Sequence, residues 1–273
     1  MKRYKKELDG RLEVGQVLYT KRFTLTLDRN LCKGCELCRL ACPRHAVKLV
    51  HVEGRAPVVD IDENKCDFHG ICAAVCPFSA IKIVTNGVEA LPTVEKQAFP
   101  ALTRDITVAR EKCPPDCKKC EAACPLGIIK VNNEIEIQKE LCAGCQLCWM
   151  ECPEDAISVT KFIEGSIQID TAQCPAGCTV CKDACPVNAV GVADGNVFAN
   201  DLHCIYCGAC KLACPVKGAI RIERTAIRHS PINSGAWHKG LERLTSPAGL
   251  RRELYADNAD KARAAVKSLE VEE

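Results

Sequence analysis

The chain has 273 residues, of which 23 are cysteine, against only six Phe, four Tyr and two Trp. So few large rings cannot build the cores that a chain of this length needs, and the cysteines must staple the fold. Thirty-seven Lys and Arg are interspersed with 35 Asp and Glu for a formal charge of +2, which excludes the one-sided basic patch of a nucleic-acid binder.

Disulfides fit the cysteines poorly. Their number is odd, and MKRYKKELDG at the start has no apolar stretch of the secretory kind. Metal or cluster ligation in a reducing, cytoplasmic setting is the expectation. No apolar run approaches the roughly 20 residues that span a bilayer, so no membrane span is expected.

Taken in chain order, residues 1–21 read as a basic N-terminal extension, and VLYTKRFTLTLD reads as a strand feeding the first cysteine loop. Six cysteine segments follow: CKGCELCRLACP (32–43), CDFHGICAAVCP (66–77), CPPDCKKCEAACP (113–125), CAGCQLCWMECP (142–153), CPAGCTVCKDACP (174–186) and CIYCGACKLACP (204–215). Each ends in Cys-Pro and is followed by a short alternation, AVKL, AIKI, IIKV, AISV, AVGV or AIRI, with the period of a strand. Each segment itself reads as a loop with one helical turn. The stretches IIKVNNEIEIQ and AVGVADGNVFAN carry Asn-Asn and Asp-Gly pairs suited to tight hairpin turns. The longest interval between segments holds VEALPTVEKQAFPALTRD, a linker. Residues 225–273 hold no cysteine. There Trp237, Leu241, Leu244, Leu250, Leu254 and Tyr255 are spaced for short helices, and the tail reads as an arm that docks on a partner subunit.

A unit of loop, turn and two strands cannot bury a core alone, so the units pair. The run C-x2-C-x2-C-x3-C-P resembles bacterial ferredoxins, in which the fourth cysteine ligates the other cluster of a two-cluster domain. The expected fold is α+β, with three tandem bacterial-type two-cluster ferredoxin domains at 22–91, 104–163 and 164–224, a linker at 92–103, an N-terminal strand extension and a C-terminal helical tail. The cofactors are six iron–sulfur clusters, mainly 4Fe-4S. Cluster 1 takes Cys32, Cys35, Cys38 and Cys76. Cluster 2 takes Cys66, Cys72, Cys42 and whatever stands at position 69. Cluster 3 takes Cys113, Cys117, Cys120 and Cys152; cluster 4 takes Cys142, Cys145, Cys148 and Cys124. Cluster 5 takes Cys174, Cys178, Cys181 and Cys214, and cluster 6 takes Cys204, Cys207, Cys210 and Cys185. Every cysteine is used. With about two negative charges per four-thiolate cubane and one histidine ligand, the loaded protein would carry about −9.

Soft, anionic thiolate suits iron in a sulfide cage, and tetrahedral sulfur is also a zinc environment. Zinc ribbons use two well-separated C-x2-C knuckles, whereas here three cysteines crowd together six times over. Proline after the last cysteine stops the helical turn, and Gly34, Gly144 and Gly208 suit tight loops. Cys113-Pro-Pro-Asp-Cys117 and Cys174-Pro-Ala-Gly-Cys178 are one residue wider, which gives the C-x3-C-x2-C spacing of radical enzymes. Because each keeps its Cys-Pro partner, a widened loop around an ordinary cluster is the better reading.

His69 stands where the pattern asks for cysteine. It ligates iron through a ring nitrogen, or the fourth corner is missing and three irons remain, or the ring turns to solvent. The other three ligands are intact and the slot faces the cluster, so we favour ligation. His45, His51 and His203 lie near cluster segments, and structural roles suit them better.

The tandem Cys-Pro segments, and stretches such as CDFHGICAAVCPFSAIKI, resemble the archaeal polyferredoxins over about residues 22–224. The likeness is to the polyferredoxin subunit of tungsten or molybdenum formylmethanofuran dehydrogenase. It implies a non-catalytic subunit that relays low-potential electrons along a row of clusters, bound to other subunits of a redox complex and serving carbon dioxide reduction in methanogenesis. A hydrogenase or heterodisulfide reductase polyferredoxin, a free electron carrier, an open-iron catalyst at His69 and a redox sensor or cluster store are the other classes.

Overall fold

The computed structural model describes residues 2–52, 55–132, 134–233 and 236–246, and also 251, 255, 258, 259, 262 and 263. Strands β1 (Lys2–Leu8) and β2 (Arg11–Val17) form an N-terminal hairpin. The first unit follows as β3 (Arg22–Asp28), α1 (Leu37–Ala41), β4 (Val47–Val52), β5 (Arg55–Ile61), α2 (Ile71–Ala74) and β6 (Ile81–Thr85), with the short β7 (Val88–Glu89) folding back on β6. After α3 (Pro92–Glu95), the second unit runs through β8 (Ile106–Val108), α4 (Lys119–Ala123), β9 (Ile129–Val131), β10 (Ile135–Ile137), α5 (Leu147–Met150) and β11 (Ile157–Val159). The third runs through β12 (Ile163–Ile169), α6 (Val180–Asp183), β13 (Val190–Ala193), β14 (Asn196–Ala199), α7 (Ala209–Ala213) and β15 (Ile220–Ile227), and α8 (Ala236–Leu244) ends the well-described chain.

The three units share one topology. In each the first strand pairs antiparallel with the last, β3 with β6, β8 with β11 and β12 with β15. The two middle strands make a hairpin, β4 with β5, β9 with β10 and β13 with β14. All six alternating stretches are strands because their inward residues bury: Ile129 and Val131 lie inside while Lys130 between them is exposed. Asp194 and Gly195 both have positive φ, the turn that the right-handed twist of a hairpin needs. The short helices between Cys positions are single turns, ended by Cys-Pro.

The N-terminal extension is more structured than the sequence reading allowed. Residues 17–28 are not one strand. Val17 ends β2, a turn follows, and β3 begins at Arg22. Both hairpin strands join the first unit in a five-stranded sheet ordered β1-β2-β3-β6-β7. Leu12, Val14, Leu25 and Leu27 bury its inner face, and the lysine-rich β1 protects the edge.

The linker and the start of the tail are also packed rather than free. Phe99 of the linker is buried edge-on against Trp237 of α8, with ring centroids 4.6 Å apart. The Trp237 indole N–H donates to His229 at 3.1 Å, and Leu102 bridges to His229. Trp237, Leu241 and Leu244 are fully buried in the chain's own core, and α8 packs on α1. For these three residues the expected partner-docking arm is corrected: their apolar face is covered by the first unit and the linker. Leu250 and Leu254 lie outside the described residues, and Tyr255 is exposed.

The third unit therefore closes onto the first. Arg224 of β15, buried, pairs with buried Glu36 of the first cysteine loop at 2.9 Å across 188 residues of chain. The three units surround a cleft of about 610 Å³ lined by Arg29, Cys32 and Pro57 of the first, Leu126 and Leu141 of the second, and Cys185 of the third. Removing the ring that locks this closure, Trp237→Ala, is expected to cost about 3–5 kcal/mol of folding stability. Urea denaturation of the loaded protein measures it, and Trp237→Phe should recover much of the loss.

Candidate metal centres

The chain enters three of the cysteine loops by one device, and a fourth carries the same residue type at the same place. Asp28, Asp62, Asp170 and Asn200 each stand four residues before the first cysteine. The carbonyls of Asp28, Asp62 and Asn200 accept from the N–H of Cys32, Cys66 and Cys204 at 3.0 Å. The side-chain oxygens of the same three accept from the N–H two residues on, at Asn30, Asn64 and Leu202. Such Asx turns reverse the strand into the loop without an unpaired donor.

Every loop then turns on one residue with positive φ directly before its second ligand slot. These are Gly34, Phe68, Asp116, Gly144, Gly177 and Tyr206, with φ between 50° and 72°. Glycine takes this conformation freely, whereas Phe and Tyr take it at a cost that the surroundings must hold in place. The two widened loops obey the same rule, so their extra residue sits before the turn and leaves the second and third slots unchanged. A Cβ on Gly34 would meet the carbonyl oxygen of Pro57, while one on Gly127, also at positive φ, would meet nothing within 4 Å. Gly34→Ala is thus expected to cost more than the ~1–2 kcal/mol left-handed penalty that Gly127→Ala shows. Urea midpoints and iron content of the two variants check this.

The six expected sets come together. Cys32, Cys35, Cys38 and Cys76 line one cavity, and Cys42, Cys66, Cys72 and His69 a second. Cys113, Cys117, Cys120 and Cys152 line a third, and Cys124, Cys142, Cys145 and Cys148 a fourth. Cys174, Cys178, Cys181 and Cys214 are electrostatic neighbours, as are Cys185, Cys204, Cys207 and Cys210. We call these sites 1 to 6 in the order used for the clusters above. The cavity volume is about 10 Å³ at sites 1 and 2 and about 20 Å³ at sites 3 and 4. The histidine-bearing cavity thus has the room of its all-cysteine neighbours. All 23 cysteines are free thiols, and among the described residues no three His, Cys, Asp or Glu converge closely enough for one ion. Four ligand side chains border each of the cavities at sites 1 to 4, a donor set that suits a four-cornered cage.

Burial sets the charge state of these sulfurs. It pushes the thiols of Cys66, Cys145 and Cys204 up to about 11 and those of Cys148 and Cys207 to about 12. Cys35 and Cys38 are raised further by burial and by neighbouring thiols. Backbone N–H groups work the other way. Ala80, Ala156 and Ala189, each four residues after a Cys-Pro cysteine, donate to Cys76, Cys152 and Cys185 at 3.4, 3.3 and 3.2 Å. Donors so aimed stabilise thiolate and cluster sulfur alike.

His69 occupies the place of a cysteine in detail. The N–H two residues beyond the second ligand points at the sulfur in three loops, Leu37 at Cys35, Leu147 at Cys145 and Ala209 at Cys207. In the second loop the equivalent Ile71 N–H donates to His69 Nδ1 at 3.2 Å. Nδ1 therefore stands where Sγ stands elsewhere, while Nε2 faces the Asp67 carboxylate at 3.3 Å. A carboxylate behind the far ring nitrogen is the usual support of a ligating histidine. Burial raises the Cys42 thiol, but hydrogen bonds from His69 and the backbone of Ala46 and Arg44 outweigh it, and Cys42 ends below its ordinary value. His45 is the positive-φ residue of the turn after Cys42-Pro43 and is exposed, a structural role.

Sequence reasoning missed the residues that join the units. Arg104 donates to the carbonyls of Cys142 and Pro77 at 2.8 and 2.9 Å and of Cys76 at 2.5 Å, and so ties site 4 to site 1. Lys161 lies in the field of Cys204 and Cys145, between sites 6 and 4. At the third junction Glu36 N–H meets the Cys207 carbonyl at 3.4 Å, and Cys35 feels Cys207 directly. Only Arg224 left a trace in the sequence: in IRIERTAI it takes an inward slot that alternation reserves for apolar residues.

A 4Fe-4S dicluster domain model matches residues 31–80, and a 4Fe-4S binding domain model matches residues 135–158. A ferredoxin of Methanothermococcus thermolithotrophicus is 32% identical over 59 residues, which are 20% of this chain and 98% of that protein. The aliphatic sulfonate oxidoreductase polyferredoxin-like subunit of Pyrococcus furiosus is 38% identical over 94 residues, 30% of this chain and 54% of that one. Across the curated relatives the chain spans from 17% to 98% of their own length. A chain of the formate dehydrogenase–heterodisulfide reductase–formylmethanofuran dehydrogenase complex from Methanospirillum hungatei superposes with a TM-score of 0.82 at 28% identity, covering 90% of this chain and 92% of that chain.

Proposed function

The chain belongs to the ferredoxin family, among the archaeal polyferredoxins, and on that premise we propose that it is the relay subunit of a multi-subunit redox complex, made of three two-cluster domains at 22–91, 104–163 and 164–224 and joined to the formylmethanofuran dehydrogenase branch of carbon dioxide reduction. The observation that carries this reading is the six-fold recurrence of one loop, with its left-handed turn, its three near cysteine slots and a fourth sulfur from the paired segment. When bound, 4Fe-4S clusters supply reversible one-electron chemistry at low potential. The residues of this chain do the rest. Cysteines and His69 hold the cages, backbone N–H groups face the sulfur, and apolar side chains such as Leu27, Phe78 and Ile81 shut water from site 1.

No bond-making step is assigned to this chain. The neighbouring subunits would bring the substrate chemistry, and the 92% coverage of the complex-borne chain supports a fixed subunit over a free carrier. Among the described residues no helix is long and apolar enough to cross a membrane. The compartment proposed is the reducing cytoplasm, where so many thiols stay available to iron.

Anaerobic isolation tests the reading. The expected yield is about 24 iron and 24 sulfide per chain with reversible low-potential EPR signals, alongside co-purifying complex subunits. Tetrahedral zinc in their place would sink it.

His69 is proposed as the nitrogen corner of site 2, bound through a ring nitrogen, with the Asp67 carboxylate beside the ring. His69→Cys is then expected to keep the iron content and to lower the potential of site 2, because thiolate adds a negative charge. His69→Ala should yield a three-iron EPR signal. Unchanged spectra in both variants would exclude the nitrogen ligand.

A further inference from the structure

Sites 1, 4 and 6 are set where the three units meet, and each holds at least one thiol in the core, at site 4 Cys148, beside the half-buried Cys124, Cys142 and Cys145. Cys35, Cys38, Cys148, Cys207 and Cys210 are each less than a tenth exposed. At sites 3 and 5, by contrast, Cys113, Cys117, Cys174 and Cys178 are partly open to solvent. Reduction adds a negative charge, and burial penalises that charge. Left uncompensated, sites 1, 4 and 6 would be harder to reduce than the more open sites 3 and 5 and would stand as a barrier where the three units meet.

Two cations sit at these junctions, and both border site 4. The Arg104 guanidinium lies between sites 1 and 4, gripped by the carbonyls of Cys76, Pro77 and Cys142 and set 5.7 Å from the Phe162 ring centroid. The Lys161 ammonium lies between sites 4 and 6, donating to the carbonyls of Asp201 and Leu202 and resting 4.7 Å from the Tyr206 ring centroid. Burial lowers its pKa, and Cys204, Asp201, Glu164 and Cys145 act to hold its charge. Glu140 is the acid that faces Arg104, along with Cys76 and Cys142. The third junction, between sites 6 and 1, is different: a buried carboxylate stands there, Glu36, paired with Arg224 at 2.9 Å and approached by Arg39 and Lys211 at 3.6 Å.

We propose that Arg104 and Lys161 are tuning residues of the relay, offsetting the burial penalty at the inner sites so that site 4 stays reducible and passes charge to both site 1 and site 6. Neither residue ligates a cluster, and neither lies within a cysteine loop. Arg224 closes the fold at the remaining junction, where its partner is the buried Glu36 carboxylate. The proposal rests on the reading of the six sites as iron–sulfur centres.

EPR-monitored redox titration of the intact, cluster-loaded chain tests it, with iron and sulfide content measured on every sample. Arg104→Met and Lys161→Met are each expected to shift the reduction equilibrium of the inner centres at least tenfold against reduction, which is ~59 mV for one electron. Arg104→Lys and Lys161→Arg, which keep the charge, should stay within that margin of the parent. Midpoints unchanged in both Met variants would overturn the proposal. So would charge-keeping variants that shift as far as the Met variants, since packing alone would then explain the effect. Should Arg104→Met fail to load iron, Lys161→Met decides alone, because the Lys161 ammonium donates only to carbonyls of a mostly exposed loop. A parent protein without iron or sulfide would instead defeat the reading of the sites themselves.

Discussion

Buried sulfur is the constraint on which the structure is built. A thiol without a metal behaves as a small apolar group, and burial raises its pKa well above the ordinary value, as at Cys66 and Cys148. As a ligand it must be an anion, and an anion inside a chain with so few aromatic rings needs donors close by. The repeated loop supplies them at fixed places: the N–H two residues past the second slot and the N–H four residues past the Cys-Pro cysteine. Aiming both at one cavity forces the chain through left-handed turns. The Phe68 and Tyr206 positions accept that strain because their side chains are buried beside the loops they turn.

Much of this was legible from spacing alone. Cysteine spacing with a following Cys-Pro marked the six loops, and the alternations after them marked the strands, because both signals are local. Register in the hairpins was legible for the same reason: Asp194-Gly195 and the inward Val190 fix β13 against β14. The N-terminal hairpin was less clear. Lys2–Leu8 is charged on both faces, so alternation is weak there, and it becomes a strand by pairing with β2 rather than by its own pattern. Trp237 and Leu241 were read as part of an arm for a partner subunit, because a tail without its own core needs a surface. That the surface belongs to the same chain was not readable, since it depends on Phe99 and α1, far away in sequence.

The closure of the third unit on the first changes what the repeats amount to. A row of domains has two ends, and its inner sites each face one neighbouring unit. Here the contacts of Arg104, Lys161 and the Glu36–Arg224 pair place three units around one cleft, so each unit borders both others. A buried ion pair contributes little net stability against an apolar pair of similar size, because its desolvation offsets its attraction. Its worth here is in position. Arg224 also donates to the carbonyls of Tyr206 and Cys207, the turn and second slot of site 6, while Glu36 sits between the second and third slots of site 1. The pair therefore fixes two cysteine loops against each other, and any slip of one unit would part the two charges.

Gly208 shows how little slack that arrangement leaves. It follows the second slot of site 6 at positive φ, and a Cβ on it would lie 3.0 Å from the Glu36 side chain. The residue that lets the site 6 loop turn is thus the same one that lets site 1 approach it. Loop geometry and domain docking converge on one atom that must be absent. A wider residue would strain the left-handed backbone there and press on the buried Glu36 side chain. Contact between units and the form of the individual loops are therefore not separable properties of this sequence. The glycine that looks like routine turn chemistry in CIYCGACKLACP is also what allows the chain to close.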